Sequence, residues 1–447
     1  MNEELGQTVS YKKGFAFKSK YYQKNGIPII RVSDFTDDSI SLTNVNYLDI
    51  TKLNEIQSVE LLADDIVIAT VGSWANNPQS IVGKVIRVPK KAEGSLLNQN
   101  AVRLRSNRSD EQIFLYYALK SKDFSNFLLS TAQGSANQAS ITLKSILSYK
   151  LPMIEHSSKI KIGNILNTLD QKIQLNTETN QTLENIAQAI FKSWFIDFDP
   201  VHTKANALAN GDDIQTANRK AMMTLSGKTD TELTEMAQQS PTEYAQLHQT
   251  AQAFPSEFGE NGLPLGWEMT TFGKVSQCFD SKRVPLSKRQ RAERQGNIPY
   301  YGATSVMDYV NDAIFDDTYL LIGEDGSVLK ENGTPFIQYI WGKSWVNNHA
   351  HVLQGIDSVS TEQLMLFMQD TDITPYVTGA VQLKLNQKNM NSIPFIKATE
   401  KINNLFNEYI SPFYKIIKNN LEKSRNLERI RNILLPKLLT GNYLIYD

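Results

Sequence analysis

Apolar residues along this chain follow two periods in succession, and the succession occurs twice. Short runs such as Ile66-Val67-Ile68-Ala69, Ile81-Val82 to Val88 and Ala101-Val102-Arg103-Leu104 predict β-strands, and one helix is predicted at about 111–130. Residues 1–155 therefore read as a compact α+β domain. A helical segment over 156–198 follows, in which Leu166, Leu169, Ile173, Asn176, Asn180, Leu183, Ala187, Ile190 and Trp194 step three and four alternately, the spacing of a coiled-coil seam. A second α+β domain is predicted over 262–396 and a second long helix over 397–447, with the seam Ile410, Phe413, Ile417, Asn420, Ser424, Leu427, Arg431, Leu434 and Leu438. Ser157 and Thr399, each six residues after a matching Leu151 or Ile393, offer hydroxyls to cap the two helices.

Other motifs repeat in the same order. Ile27-Pro28-Ile29-Ile30 is echoed by Ile298-Pro299-Tyr300-Tyr301, Val71-Gly72-Ser73 by Asp325-Gly326-Ser327, Asn98-Gln99-Asn100-Ala101 by Asn347-Asn348-His349-Ala350, and Glu111-Gln112 by Glu362-Gln363. Chance matches would not stay collinear, so the chain reads as a duplication. Both seams are apolar at their ends and polar in the middle. Antiparallel pairing brings the polar positions together with facing residue numbers summing to 600: Asn176 by Ser424, Asn180 by Asn420, Leu183 by Ile417, Ala187 by Phe413. Parallel pairing also matches polar with polar, but requires both α+β domains at one end.

Between them, over 199–261, Ala, Gln and Thr replace branched apolar residues. Asp212, Asp213, Asp230, Glu232, Glu235, Glu243, Glu257 and Glu260 outnumber the basic residues there, which predicts an acidic linker with one or two short helices and not a DNA surface.

With 447 residues, 41% of them hydrophobic, the chain can bury several cores. Its one cysteine, Cys278, excludes a disulfide framework and a cysteine-rich zinc site, and points to a reducing compartment. No apolar run approaches the roughly 18 residues of a membrane span, and the acidic Met1-Asn2-Glu3-Glu4 start is unlike a leader, so a soluble cytoplasmic protein without membrane contact is expected. A net charge of −1 argues against a generally basic coat, yet charge is concentrated locally. Lys282, Arg283, Lys288, Arg289, Arg291 and Arg294 crowd one segment beside Glu293, and Lys12, Lys13, Lys18, Lys20 and Lys24 alternate with Tyr11, Phe15, Phe17, Tyr21 and Tyr22 at the matching place in the first repeat. Solvated loop charge explains either segment alone; their recurrence favours phosphate contacts.

Catalytic motifs are missing. Leu225-Ser226-Gly227-Lys228-Thr229 ends like a phosphate-binding loop, but Met222 stands where the first glycine belongs. Neither Asn76-Asn77-Pro78-Gln79 nor Asp199-Pro200-Val201 matches an amino-methyltransferase loop, and no glycine fingerprint of a dinucleotide or methyl-donor fold occurs. His349 and His351 alternate as on one strand face without acidic or cysteine partners at ligand spacing, so satisfied or base-contacting histidines are expected and no metal. Base readout calls for amides, hydroxyls and arginines at glycine-containing turns. Gln133-Gly134-Ser135-Ala136-Asn137-Gln138 and Gly379-Ala380-Val381-Gln382-Leu383-Lys384 occupy matching places before the two long helices, and the Gly72-Ser73 and Gly326-Ser327 turns and Tyr301 complete the candidate contacts. Ordinary loops are the alternative reading.

Two basic, aromatic-rich α+β domains alternating with two long helices resemble the specificity (S) subunit of Type I restriction-modification enzymes. The residues that carry the resemblance are Gly26-Ile27-Pro28-Ile29-Ile30-Arg31-Val32-Ser33-Asp34-Phe35, Leu183 to Phe191 with Trp194-Phe195-Ile196-Asp197-Phe198-Asp199-Pro200-Val201, Leu263-Pro264-Leu265-Gly266-Trp267, and Leu434-Leu435-Pro436-Lys437-Leu438-Leu439-Thr440-Gly441. It covers nearly the whole chain. The resemblance implies two target-recognition domains, each reading half of a split site in double-stranded DNA, and an antiparallel coiled coil that fixes their separation. It also implies two methyltransferase (M) subunits and restriction (R) subunits as partners, with S-adenosylmethionine, ATP and magnesium bound by them and no cofactor in this chain. The first domain departs from the pattern, since Leu5-Gly6 lacks the Pro-Leu-Gly-Trp opening of the second; a shorter first strand or a truncated start is expected. Two other readings are a self-contained methyltransferase or nuclease, which would bind S-adenosylmethionine, and a repressor-like protein, with which no methyltransferase would copurify.

Overall fold

A computed structural model describes residues 3–49, 57–74, 82–135, 138–379 and 382–440. Ile81, the Asn76 to Gln79 loop, Ala136, Asn137, Ala380, Val381 and Gly441 lie outside the described residues. The chain forms two compact units, one from residues 1–177 and 421–447 and one from 178–420, so each long helix contributes to both.

In the first unit an antiparallel sheet runs in the order Val9–Lys13, Ala101–Ser106, Ile66–Ala69, Val85–Arg87. All four residues of Ile66–Ala69 are buried because the strand has a core on each face. Ile66 and Ile68 meet helix residues including Phe114 and Leu115, while Val67 and Ala69 meet Ile29, Ile30 and Leu96 of a second small sheet. Among the described residues of the run Ile81 to Val88, which begin at Val82, the strand is Val85–Arg87. The helix expected at 111–130 is two helices, Gln112–Leu119 and Lys122–Thr131. Ser121 breaks it: its hydroxyl accepts from the Phe124 amide at 3.2 Å and caps a new helix.

The second unit repeats this plan. Its sheet runs Ser276–Cys278, Ala350–Gly355, Tyr319–Gly323, Ile337–Ile340. The sequence echoes fall at equivalent places: Ile29 and Ile30 pair parallel with Leu96 and Leu97, and Tyr300 and Tyr301 pair parallel with Trp345 and Val346. Ala69 pairs with Ala101 as Gly323 pairs with Ala350. The strand pair Glu268–Thr271 with Pro394–Lys397 is reduced in the first repeat to a single bridge, Glu4 to Lys150.

The segment 199–261 is not a linker. It forms four helices, Asp199–Ala209, Ile214–Ser226, Asp230–Gln239 and Pro241–Ala253, and the last three enclose a core of Ala221, Met222, Leu233, Leu247 and Ala251. Lys204 is buried against the end of the last helix, its Nζ donating to the carbonyls of Ala251 and Phe254 at 3.1 and 2.5 Å; burial without an acidic partner pushes its pKa down. Gly227 to Thr229 is the turn between two of these helices, and Thr229 forms a capping box with Glu232.

Both long helices span 40 residues, His156–Phe195 and Glu400–Leu439. Ser157 lies inside the first helix, not at its cap; the Lys159 amide bonds the Glu155 carbonyl. Thr399 does stand at the cap of the second, accepting from the Ile402 amide at 3.5 Å. The fourth residue of each helix is held by the helix head before it, Lys159 by Glu111 at 3.0 Å and Asn403 by Gln363 at 3.1 Å. In the first unit Asn176 donates to Ser424 at 3.1 Å, Asp170 meets Arg431 at 2.5 Å, and Leu166 shares a core with Leu438. In the second, Asn420 donates to Asn180 at 2.9 Å, and Leu183, Ala187 and Ile190 share a core with Ile410, Phe413 and Ile417. Numbers rise along one helix as they fall along the other, so the pairing is antiparallel in each unit. Ile173, Leu183, Ile190, Phe413, Asn420, Leu427 and Leu434 are half-buried, and the remaining seam residues between Leu166 and Ser424 are buried or half-buried. In a Cys278→Ser background, Leu183→Cys with Ile417→Cys is expected to form a disulfide readily. Leu183→Cys with Ile410→Cys, displaced by about 10 Å along the helix, is expected not to, as non-reducing gels will show. Among the described residues no helix is long and apolar enough to cross a membrane.

Candidate nucleic-acid interface

Loops far apart in sequence are brought together in both repeats, and in the same way. In the first unit Gly72 pairs with Ala139 of a hairpin built from Gln133–Ser135 and Gln138–Ser140. In the second the Gly326 amide bonds the Leu383 carbonyl at 3.1 Å, the Leu385 amide bonds the Glu324 carbonyl at 2.8 Å, and Thr378 bridges Lys384. Each hairpin requires a glycine: a Cβ on Gly134 would stand 2.0 Å from the Gln138 carbonyl oxygen, and one on Gly379, at φ +96°, 2.1 Å from that of Gln382. The result in each domain is a ridge made of a Gly-Ser turn hydrogen-bonded to a glycine hairpin. Gln133, Gly134, Gln138, Gly326, Ser327, Gly379, Gln382 and Lys384 are exposed on these ridges, while Gly72 and Ser73 are half-buried; Ser135 lies in the first hairpin's strand.

The basic segments divide into surface and scaffold. Lys12, Lys13, Lys18 and Lys20 are exposed, as are Tyr11, Phe15 and Tyr21, and the Lys20 ammonium sits 5.0 Å over the Tyr21 ring. None of the four lysines forms an ion pair among the described residues. Tyr22 is half-buried against the Ile29 and Ile30 core instead. In the second unit Lys288, Arg289 and Arg294 are exposed; Arg289 pairs with Glu293 at 3.0 Å and Arg294 lies 5.8 Å over Trp345.

Arg283 and Arg291, expected as phosphate contacts, are structural. The Arg283 side chain is 11% exposed and donates to Glu324 at 2.7 Å and to the Ala350 carbonyl at 2.6 Å. The Arg291 side chain is 14% exposed, bonded to Asp308 at 3.0 Å and the Leu286 carbonyl at 2.7 Å. Tyr301 is likewise a core residue, packed with Phe315, Tyr319 and Val346, because it occupies the place of buried Ile30 in the repeat. Both arginines are consumed by carboxylates brought near only by folding.

His349 and His351 do not share a strand face. His351 is 1% exposed, with Nδ1 2.5 Å from Asp280 and Nε2 2.7 Å from the Leu385 carbonyl. Folding also supplies the acid and thiol that the sequence spacing lacked: Cys278, Asp280 and His351 place ligand-type atoms within 4.8 Å of one another. Both imidazole nitrogens already have partners, and Arg283 stands 3.2 Å from Asp280, so the cluster is a buried ion-pair network. Burial there raises the Asp280 carboxyl, but hydrogen bonding and charge from His351, the Val352 amide and Arg283 outweigh it and hold the carboxyl below its usual value. Burial pushes the Cys278 thiol up to about 12, leaving it unreactive. His349 stands outside the network.

One feature had no signal in the heptad pattern. Ile186 and Ile430 occupy equivalent positions in the Leu183-Glu184-Asn185-Ile186 and Leu427-Glu428-Arg429-Ile430 motifs, and both point outward, 41% and 46% exposed. Their identical place in two copies of one motif is the signal that marks them.

A family model, the type I restriction modification DNA specificity domain, matches residues 2–185 and 264–432, one match over each repeat. The chain belongs to the Type I restriction-modification specificity-subunit family. Among its relatives, the HindI specificity subunit of Haemophilus influenzae is 33% identical over 354 residues, covering 73% of this chain and 76% of that protein. The MjaIX specificity subunit of Methanocaldococcus jannaschii is 22% identical over 352 residues, covering 73% and 68%. The crystal structure of an S subunit from M. genitalium aligns over 100% of this chain and 96% of that one, with 13% identity and a TM-score of 0.49. Membership in this specificity family carries DNA sequence specificity as its role.

Proposed function

We propose that this chain is the non-catalytic, sequence-reading subunit of a type I restriction-modification complex. Each α+β domain reads one half of a split site in double-stranded DNA. Two methyltransferase subunits and the restriction subunits assemble on the chain and bring S-adenosylmethionine, ATP and magnesium with them. The observation that carries this reading is the duplicated ridge, since two copies of one polar, glycine-dependent surface suit two half-sites. Exposed lysines and arginines in the same domains suit phosphate contact, which positions a protein on DNA without reading sequence.

Ile186 and Ile430 favour two copies of one partner, because the same apolar group is offered once on each helix. Ile186→Glu or Ile430→Glu is expected to halve the methyltransferase that copurifies with the chain, and the double change to abolish it, as mass measurement of the purified complex will show. An unchanged stoichiometry places the partner elsewhere. For the DNA face, Lys288→Ala with Arg289→Ala is expected to weaken binding to all sequences alike and reduce the slope of log affinity against log salt by about 0.9 for each phosphate no longer neutralised. Mapping N6-methyladenine in cells carrying the complex tests the reading as a whole: a split motif with two separately variable halves supports it, and a continuous motif overturns it.

A further inference from the structure

Asn100 and His349 occupy one structural position in the two repeats. The Asn100 carbonyl accepts from the Thr70 amide at 2.8 Å, and the His349 carbonyl from the Glu324 amide at 2.9 Å. Each residue immediately precedes the alanine that opens the central strand, Ala101 or Ala350, and each lies beside the turn that follows Thr70 or Glu324. Both are exposed. They therefore sit on the same ridges as the glycine hairpins, and both carry hydrogen-bonding groups of the kind that read base edges.

His349 is held more tightly than an exposed residue needs to be. Its amide donates to Asn347 Oδ1 at 2.8 Å, its carbonyl is occupied by Glu324, and its Nδ1 lies 2.5 Å from Asp325 Oδ1. An ionised carboxylate can only accept, so Nδ1 carries the proton in this pair and Nε2 of the neutral ring is left with a lone pair. The ring is 47% exposed, and no hydrogen bond reaches Nε2 among the described residues. Nearby charge is already matched: Glu324 is taken by Arg283 at 2.7 Å and Lys384 at 3.4 Å, and Lys384 bridges Asp325 through its backbone. Contrast His351, two residues on, which is buried with both nitrogens used. In the first repeat Val71 replaces Asp325, and Asn100 needs no orienting acid because its amide carries both a donor and an acceptor.

We propose that His349 and Asn100 are paired specificity-determining residues, one per half-site, with Asp325 positioning the His349 ring. In the major groove the Nε2 lone pair of His349 accepts from an exocyclic amine, adenine N6 or cytosine N4, while Asn100 can take adenine through N6 and N7 together. The inference rests on the reading of these ridges as the DNA face.

The test uses the full chain in complex with its methyltransferase partners and the duplex that the complex methylates. Each adenine or cytosine is replaced in turn by purine or 2-pyrimidinone, which lack the exocyclic amine. For the native complex, one such replacement in the half-site of the second domain is expected to weaken binding about tenfold, the worth of one hydrogen bond at an interface. In His349→Ala the same replacement is expected to cost nothing further, with every other position unchanged, and Asn100→Ala is expected to do the same in the other half-site. Asp325→Ala is expected to lower the amine penalty, and Asp325→Asn, which still accepts from Nδ1, to retain most of it. If His349→Ala is not folded by circular dichroism, His349→Phe, which keeps a ring but has no acceptor, decides, and an amine penalty of unchanged size and position overturns the proposal. Should Gln382→Ala change the sequence preference while His349→Ala leaves every penalty in place, this inference fails and the DNA-reading function stands. Should the native complex show no preference in either half-site, the functional reading itself fails.

Discussion

An Arg283→Ala chain is expected to lose about 3 to 5 kcal/mol of stability in its second domain, the usual cost of removing one partner from a buried charged pair. The guanidinium stands between two carboxylates, Glu324 at 2.7 Å and Asp280 at 3.2 Å, and all three side chains are less than 15% exposed. Its removal leaves two buried negative charges with His351 and the half-exposed Lys384 as their remaining neighbours. Thermal or urea denaturation measures the loss. A phosphate-contacting arginine would behave differently: the variant would keep its stability and bind DNA with a shallower salt dependence. The same network gives a sign for pH. Asp280 is held below its ordinary value of 3.8 in the folded domain, so its contribution to stability is present above that value and is lost as pH falls through the depressed one. Acid unfolding of the second domain is therefore expected below about pH 4.

How far the sequence disclosed this architecture depended on whether its signal was periodic. The helix register was legible because polar Asn176, Asn180, Asn420 and Ser424 sit in the middle of mainly apolar seams, and the antiparallel register summing to 600 satisfies each with another; parallel pairing matched them too and was disfavoured only by where it would put the two α+β domains. Strand positions were legible because the same short motifs recur in the same order. Arg283 and Arg291 were misplaced because a run of charge in sequence implies solvent only while no acid is near. Their partners, Glu324 and Asp308, lie 41 and 17 residues away and arrive by folding. The helical segment after Asp199 reads as a linker in sequence because its core relies on Ala217, Ala221 and Ala251, which leave little contrast with the surface. Ser121 was hidden for a related reason, since one serine within an apolar run looks like an exposed helical position until its hydroxyl is seen to cap Phe124.

Removing one heptad from each long helix, Gln174 to Asn180 and Asn420 to Asn426, is expected to leave a folded chain that no longer binds its native site. The deletion keeps the apolar seam in phase and takes out the layers made by Asn176 with Ser424 and Asn180 with Asn420. Polar layers of this kind specify register more than they add stability, so the midpoint of thermal unfolding should change little. Each helix becomes shorter by seven residues at about 1.5 Å, or roughly 10 Å, equivalent to about three base pairs at 3.4 Å. If the helices set the spacing between half-sites, binding to the native spacer should collapse because both distance and rotational phase on the duplex change. Selection from a library with variable spacers should then recover sites about three base pairs shorter with both half-sites unaltered. Retention of the native spacer by a folded deletion variant would assign the spacing to the partner subunits or to the four-helix segment between Asp199 and Ala253, and leave the seam's polar layers as a device for register alone.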